Sequence, residues 1–211
     1  MPVYSIDKQK DGSIIAIWEI IESEKELLEN CSLPNSEQEE MSFISNEQRR
    51  KERLAVRLLL DHVLNKKIYL GYHENDHPFL QNEVGHISIS HTKRFACIIY
   101  HPTEHVGIDI ENVTRDFSAV EKKVLSEYEI DYLDDKKRNL QLCLIWCAKE
   151  AIYKYACESG TDFAEQISID EFTPHKKGKL TASYTNKEEE TSEITLHYRI
   201  VEDHAMVWLC E

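Results

Sequence analysis

The chain has 211 residues, 41% hydrophobic and 30% charged, which suits a folded protein with a real core and excludes a disordered one. A formal net charge of −14 excludes a general nucleic-acid binder, which needs a basic surface. No apolar run approaches the roughly 20 residues of a membrane span, and Met1-Pro-Val-Tyr-Ser-Ile-Asp7 shows no basic stretch followed by an apolar one, so a cytoplasmic protein without a signal peptide is expected.

Ser13 to Ile21 is apolar and β-branched and reads as the first strand. Glu22 to Asn30 reads as a short charged helix, and Cys31 to Glu40, with Pro34 and Asn35, as a loop. A long helix is predicted from near Ser45 to Leu64. Ser45-x-x-Gln48 fits a capping box, and Leu54, Ala55, Leu58, Leu59 and Val63 form an apolar stripe at helical spacing. Arg49, Arg50, Lys51, Arg53 and Arg57 make this helix basic. In so acidic a chain that is either a solvated face or a request for an anionic partner. Ile68–Tyr72 reads as a strand and Asp76–Phe79 as a turn, because Pro78 biases its predecessor away from helix. His86–His91 alternates cleanly. With Phe95–Tyr100 it makes a hairpin around Thr92-Lys93-Arg94, with Ser90 and His91 at the tip.

A boundary is expected near His101-Pro102-Thr103, giving halves 1–102 and 103–211. The second half opens with the strand Val106-Gly-Ile-Asp-Ile-Glu111. By period two, Ile108 and Ile110 face a core while Asp109 and Glu111 face the other way. Adjacent carboxylates repel unless a cation stands between them, and Mg2+ favours one or two carboxylates with phosphates and water. The alternative is a solvated strand face. Ser126-x-x-Glu129 is a second capping box. The longest helix is expected over Lys137–Glu158, ended by Gly160. On it Cys143 and Cys147 have a metal-ligand spacing or pack as small apolar groups. No Cys-x-x-Cys pair occurs among the six cysteines, so a reducing compartment is read. Strands follow at Ile167–Phe172, Lys179–Tyr184, Glu193–Val201 and His204–Cys210. Each half thus joins a long helix to antiparallel strands. The expected fold class is α+β, with two similar subdomains, each a small antiparallel sheet packed with a long helix.

On the long helix Trp146, Lys149, Glu150 and Lys154 fall within an arc of about 140° and share a face. A plain i,i+4 salt bridge of Glu150 with Lys154 explains the pair. It does not explain Trp146 or the upstream Asp-x-Glu. Val106-Gly-Ile-Asp-Ile-Glu111 and Trp146-Cys-Ala-Lys-Glu-Ala-Ile-Tyr-Lys154 together resemble the two signature motifs of the 4′-phosphopantetheinyl transferase superfamily, Gly-x-Asp-x-Glu and Trp-x-x-Lys-Glu-x-x-x-Lys. Ile89-Ser-His-Thr92 and Arg53-Leu-Ala-Val-Arg57 resemble its Ser-His turn and arginine-bearing helix, in family order. Length and arrangement look like the surfactin-type subgroup, a single-chain pseudo-dimer whose halves are related by a pseudo-twofold axis.

The resemblance implies transfer of the 4′-phosphopantetheine arm from coenzyme A to a serine of an apo acyl or peptidyl carrier protein, by a monomer without nucleic-acid or membrane partners. Asp109, Glu111 and Glu150 would hold Mg2+. Lys154 would carry developing charge, with Lys149 assisting and Trp146 beside the cofactor. Glu150, directly or through water, and Glu129 are the candidate bases. Arg57 and His91, with Ser90 beside them, match positions that grip the 3′-phosphate of coenzyme A, and Lys51 is a further candidate. His77 stands where related chains carry the lysine of Gly-Lys-Pro near the adenine, and Gln48 where some have lysine. Carrier proteins are acidic, so either a local basic docking strip is expected, around Lys93-Arg94 or Lys122-Lys123, or recognition is largely apolar. The rival readings are a non-catalytic coenzyme A or carrier-binding module and a metal-dependent nuclease.

Overall fold

The computed structural model describes residues 2–73 and 75–211, apart from the side chains of residues 35 and 36; Met1 of the N-terminal stretch lies outside them. Two compact units divide after Glu104.

In the first unit β1 (Val3–Lys8) and β2 (Ile14–Glu19) form a hairpin. The first strand is therefore β1, not the 13–21 segment. Its apolar residues split between faces, with Tyr4 and Ile6 exposed, so it shows little of the patterning of a buried strand. The helix α1 (Glu24–Asn30) follows, with a capping box between Ser23 and Glu26. The stretch expected as a loop contains a second helix, α2 (Asn35–Ser42), which has no side-chain cap and no apolar stripe to betray it. The long helix α3 (Glu47–Leu64) is capped by Asn46, whose side chain accepts from Arg49 N at 3.2 Å. Ser45 is not the cap, and Gln48 donates instead to Glu52 and to the Lys93 carbonyl. Beyond α3 come a small hairpin, β3 (Leu70–Tyr72) with β4 (Pro78–Leu80), and the hairpin β5 (His86–His91) with β6 (Phe95–His101). The main sheet has the antiparallel order β1-β2-β6-β5. Leu54, Ala55, Leu58 and Leu59 of α3 pack on Ala16, Trp18, Ala96 and Ile98 of this sheet. Burying each large side chain contributes about 1.5–3 kcal/mol.

The second unit begins with β7 (Val106–Asn112) and two short helices, α4 (Ser118–Val124) and α5 (Glu127–Asp131). Ser126 and Glu129 form the expected capping box on α5. The long helix α6 (Arg138–Ala156) ends two residues before the expected Glu158. Cys157 takes the left-handed conformation, φ 55, and its N–H bonds the Tyr153 carbonyl. The strands β8 (Ile167–Ile169), β9 (Lys177–Thr185), β10 (Thr191–Val201) and β11 (His204–Cys210) complete an antiparallel sheet of order β7-β11-β10-β9-β8. Leu144, Cys147, Ala148 and Ala151 of α6 pack on Leu180, Leu196, Val207 and Leu209. Cys143 and Cys147 are buried free thiols. Each unit is α+β, an antiparallel sheet with one long helix laid on it. Among the described residues no helix is long and apolar enough to cross a membrane.

Candidate active site

β7 sends Gly107, Asp109 and Glu111 to one face by strand alternation, and α6 covers that face. Gly107 is what lets α6 come so near: a Cβ there would lie 2.0 Å from the Ala151 carbonyl oxygen. Ile108 and Ile110 are buried on the opposite face, as alternation requires. The carboxylates are thus enclosed beneath a helix rather than solvated, and Asp109 is only 5% exposed.

The helix brings its motif residues to them. Lys154 Nζ donates to Asp109 Oδ1 at 2.6 Å and to the Ile108 carbonyl at 3.1 Å. Glu111 is paired with Arg115, four residues on. The Arg115 guanidinium lies 5.2 Å from the centroid of Phe117 and 5.7 Å from that of Trp146. Burial, then the charge of Asp109, push the Glu150 carboxyl up to about 7, with Lys154 pulling the other way. Burial and Asp109 likewise raise Glu111, while Arg115 and a hydrogen bond from Trp146 lower it. Three carboxylates within electrostatic reach, two of them shifted by the third, form a donor set that a hard divalent cation would relieve. As placed, no three His, Cys, Asp or Glu side chains converge on one point among the described residues, since Asp109 and Glu111 are each drawn to a cationic side chain.

Lys149 and Glu129 are placed elsewhere. Both are fully buried. Lys149 Nζ lies 2.7 Å from Glu129 Oε2 and the Ile167 carbonyl, and 2.8 Å from the carbonyls of Val124 and Phe163. Glu129 Oε1 accepts from Ile169 N at 2.9 Å. This pair ties α5 and α6 to β8. The motifs imply an assisting role for Lys149 and a base at Glu129; the structure pairs these two side chains with each other in the core. The shared arc hid this, because Lys149 and Lys154 sit at its two ends, about 140° apart.

In the first unit Arg57 is buried. Its fork grips the carboxylate of Glu37 on α2, with Nε to Oε2 at 2.7 Å, and Nη1 donates to the Ile68 carbonyl at 3.2 Å. Arg50 makes a similar fork with Glu24 on α1, and Arg53 lies 4.0 Å from Glu40 of α2. The anionic partner that the basic helix asks for is therefore supplied in large part by α1 and α2 of the same unit. Lys51 is half-buried and acts electrostatically on Glu26. His91, at the hairpin tip, has Nδ1 3.1 Å from Glu52 Oε2, and Ser90 beside it is buried. His77 is buried at the β3–β4 hairpin, its carbonyl accepting from His73 N. A cleft of about 770 Å³ opens between α2, α3 and that hairpin. Glu37, Glu40, Arg53, Tyr69, Tyr72, Asp76 and Phe79 are among its lining residues, with Arg53 over the Tyr72 ring.

The structure therefore brings Asp109, Glu111, Glu150, Lys154 and Trp146 together on one strand and one helix. Arg57 and the Ser90–His91 tip are separate features of the first unit. Sequence reading missed Arg115 and Glu37. Arg115 lies in a turn with no periodicity, and Glu37 in a stretch without an apolar stripe. Residues 105–208 match the family model of the 4′-phosphopantetheinyl transferase superfamily, and no curated protein matches the chain. By that match the C-terminal unit, with its carboxylate strand and long helix, belongs to the 4′-phosphopantetheinyl transferase superfamily.

Proposed function

We propose that the protein transfers the 4′-phosphopantetheine arm of coenzyme A to a serine hydroxyl of an apo acyl or peptidyl carrier protein, releasing adenosine 3′,5′-bisphosphate. The superfamily is one of phosphopantetheine transferases; acceptor, metal and residue roles are part of the proposal. One observation carries it: Asp109 and Glu111 on β7 face Glu150 and Lys154 on α6, inside the matched span.

Asp109, Glu111 and Glu150 are the residues that would hold Mg2+. When bound, the ion neutralises the diphosphate of coenzyme A and the departing phosphate. Glu150 has no ion-pair partner within reach among the described residues, and it is the candidate to take the serine proton. The serine oxygen then bonds to the β-phosphorus, and the bond from that phosphorus to the bridging oxygen breaks. Lys154 carries charge that grows on the phosphoryl oxygens, a contact worth most in the transition state. Trp146, under Arg115, walls this site.

In the first unit Arg57 is the candidate for the 3′-phosphate. Its fork already holds a planar anion, the carboxylate of Glu37, and a phosphate presents the same two-oxygen edge. The aromatic cleft beside Glu37 is the candidate for the adenosine end. His91 and Ser90 are further candidates. Lys51, whose charge acts on Glu26, is the weakest. Each unit has its own sheet and long helix, which supports the single-chain arrangement and a monomer.

The deciding experiment is intact-mass spectrometry of an apo acyl carrier protein, then an apo peptidyl carrier, incubated with the protein, coenzyme A and Mg2+. A mass gain of one phosphopantetheine arm, blocked by EDTA, is expected. No gain on either carrier while coenzyme A still binds would replace this reading with that of a non-catalytic binding module.

A further inference from the structure

The buried Lys149 reaches beyond Glu129. One of its carbonyl partners, Phe163, lies in the loop that joins α6 to β8, and Nζ donates to it at 2.8 Å. That loop is tied down on both sides of Phe163. Asp162 Oδ1 accepts from Ala164 N at 2.9 Å and from Glu165 N at 3.1 Å. Gln166 Oε1 accepts from Asp162 N at 2.7 Å, and Gln166 Nε2 donates to the Thr185 carbonyl at 3.0 Å. A side chain carried on backbone held in this way is presented rigidly. The Phe163 ring is half-buried and packs on the core of the second unit. Its centroid lies 6.0 Å from that of Trp146 and 5.7 Å from that of Tyr153, with the planes tilted by 43° and 50°. Both distances are those of paired aromatic rings.

Trp146 and Tyr153 stand two turns apart and within about 20° of each other around α6, with Glu150 about 40° from Trp146 on the side away from Lys149. The order across the helix is therefore Lys149, Tyr153, Trp146, Glu150, Lys154. Lys149 holds the loop at the buried edge of this arc, and the Phe163 ring lies against its middle. Trp146 is the residue there that touches the carboxylates: its side chain hydrogen-bonds Glu111, and the Arg115 guanidinium lies 5.7 Å from its ring. The outer torsion of a tryptophan is broad, so the helix alone does not fix the indole and its neighbours must. We propose that Phe163 is a positioning residue for transfer: anchored through its carbonyl by Lys149, it holds the Trp146 indole in the orientation that serves Glu111. This rests on the transferase reading above. Plain packing is the other account of Phe163, and leucine separates the two, since it keeps most of the apolar volume and loses the flat ring.

The test compares F163A, F163L and F163Y with the parent in the full chain. Acrylamide quenching, with W146F as the reference that isolates the Trp146 signal, reads how firmly the indole is held. Urea unfolding reads stability, calorimetry reads coenzyme A affinity, and transfer to an apo acyl carrier protein in Mg2+ gives kcat. F163A and F163L are expected to expose Trp146 to quencher and to lower kcat by about tenfold with coenzyme A affinity unchanged, although F163L loses far less stability than F163A. F163Y, which keeps the ring, should recover most of the rate and of the shielding. Losses of kcat that follow the losses of stability, large in F163A and small in F163L, return Phe163 to plain packing. Quenching of Trp146 that is the same in F163A as in the parent overturns the positioning role, and so does F163Y as slow as F163L. A parent protein that binds coenzyme A but modifies no carrier overturns the transferase reading instead, and it is told apart because the quenching comparison needs neither substrate nor carrier.

Discussion

Lys154 Nζ lies 2.6 Å from Asp109 Oδ1, so the last lysine of the helix motif is tied to the carboxylate strand and not to Glu150, its neighbour one turn back. The simple i,i+4 pair is not what forms. Lys154→Ala is expected to lower kcat for transfer by much more than it weakens coenzyme A binding, as for a contact strongest in the transition state. Steady-state rates beside calorimetric coenzyme A affinities decide this. A loss confined to affinity would refute the role.

Glu150 is raised to about 7, first by burial and then by Asp109. A carboxyl whose folded pKa lies above its unfolded value stabilises the fold most when protonated, and that contribution is lost as pH rises through the folded value. In EDTA, urea unfolding should therefore show the parent losing stability relative to Glu150→Gln between about pH 4.5 and pH 7. Asp109→Asn should shrink the loss, because it removes a neighbouring negative charge. Added Mg2+ should restore stability above pH 7 in the parent alone. A difference between parent and Glu150→Gln that does not change with pH would contradict the shift.

Lys149 and Glu129 form an ion pair with both side chains fully buried. Removing one partner strands a charge in the core, at a cost of about 3–5 kcal/mol, whereas replacing both with apolar groups of similar volume costs far less. Lys149→Met and Glu129→Leu should each lower the unfolding midpoint steeply, and the double variant should recover much of it. A folded single variant with normal stability and no transfer activity would instead return the pair to the chemistry.

The strand and helix of the candidate site were legible because their signals are local. Period two sets Asp109 and Glu111 on one face, and Trp146, Glu150 and Lys154 lie within a narrow helical arc. What lay beyond reading was partner choice. Lys149 belongs to the same motif, yet about 140° of helix separates it from Lys154, and that rotation sends it to Glu129. Arg57 was visible as a cation, but its fork holds Glu37, on a helix that no apolar stripe announced. The fold class followed from alternation and the long helices. Helix ends did not, since Asn46 caps where Ser45 was expected and Cys157 adopts the left-handed turn before Gly160.

Arg57 cannot serve a phosphate and Glu37 at once. If the 3′-phosphate of coenzyme A takes the fork, Glu37 is its intramolecular competitor. Glu37→Gln should then lower the KM for coenzyme A and leave that for 3′-dephospho-coenzyme A unchanged. Arg57→Ala should raise the first much more than the second. Equal changes for both substrates would remove the 3′-phosphate from Arg57.

Arg115 neutralises Glu111 while lying over Trp146 and Phe117. A divalent cation on Glu111 must compete with that pairing, so the arginine sets how readily the site takes a metal. The pair is half-exposed, and such pairs contribute about 0.5–1 kcal/mol, which corresponds to a change of about two- to fivefold. Arg115→Ala should therefore bind Mg2+ about two- to fivefold more tightly, read by calorimetry without substrate. Arg115→Lys should stay near the parent, because it keeps the charge. Intrinsic fluorescence gives an independent reading: the Trp146 contribution should change in Arg115→Ala, where the cation 5.7 Å from its ring is lost. Weaker Mg2+ binding in Arg115→Ala would mean that the arginine orients Glu111 for the metal rather than competing with it.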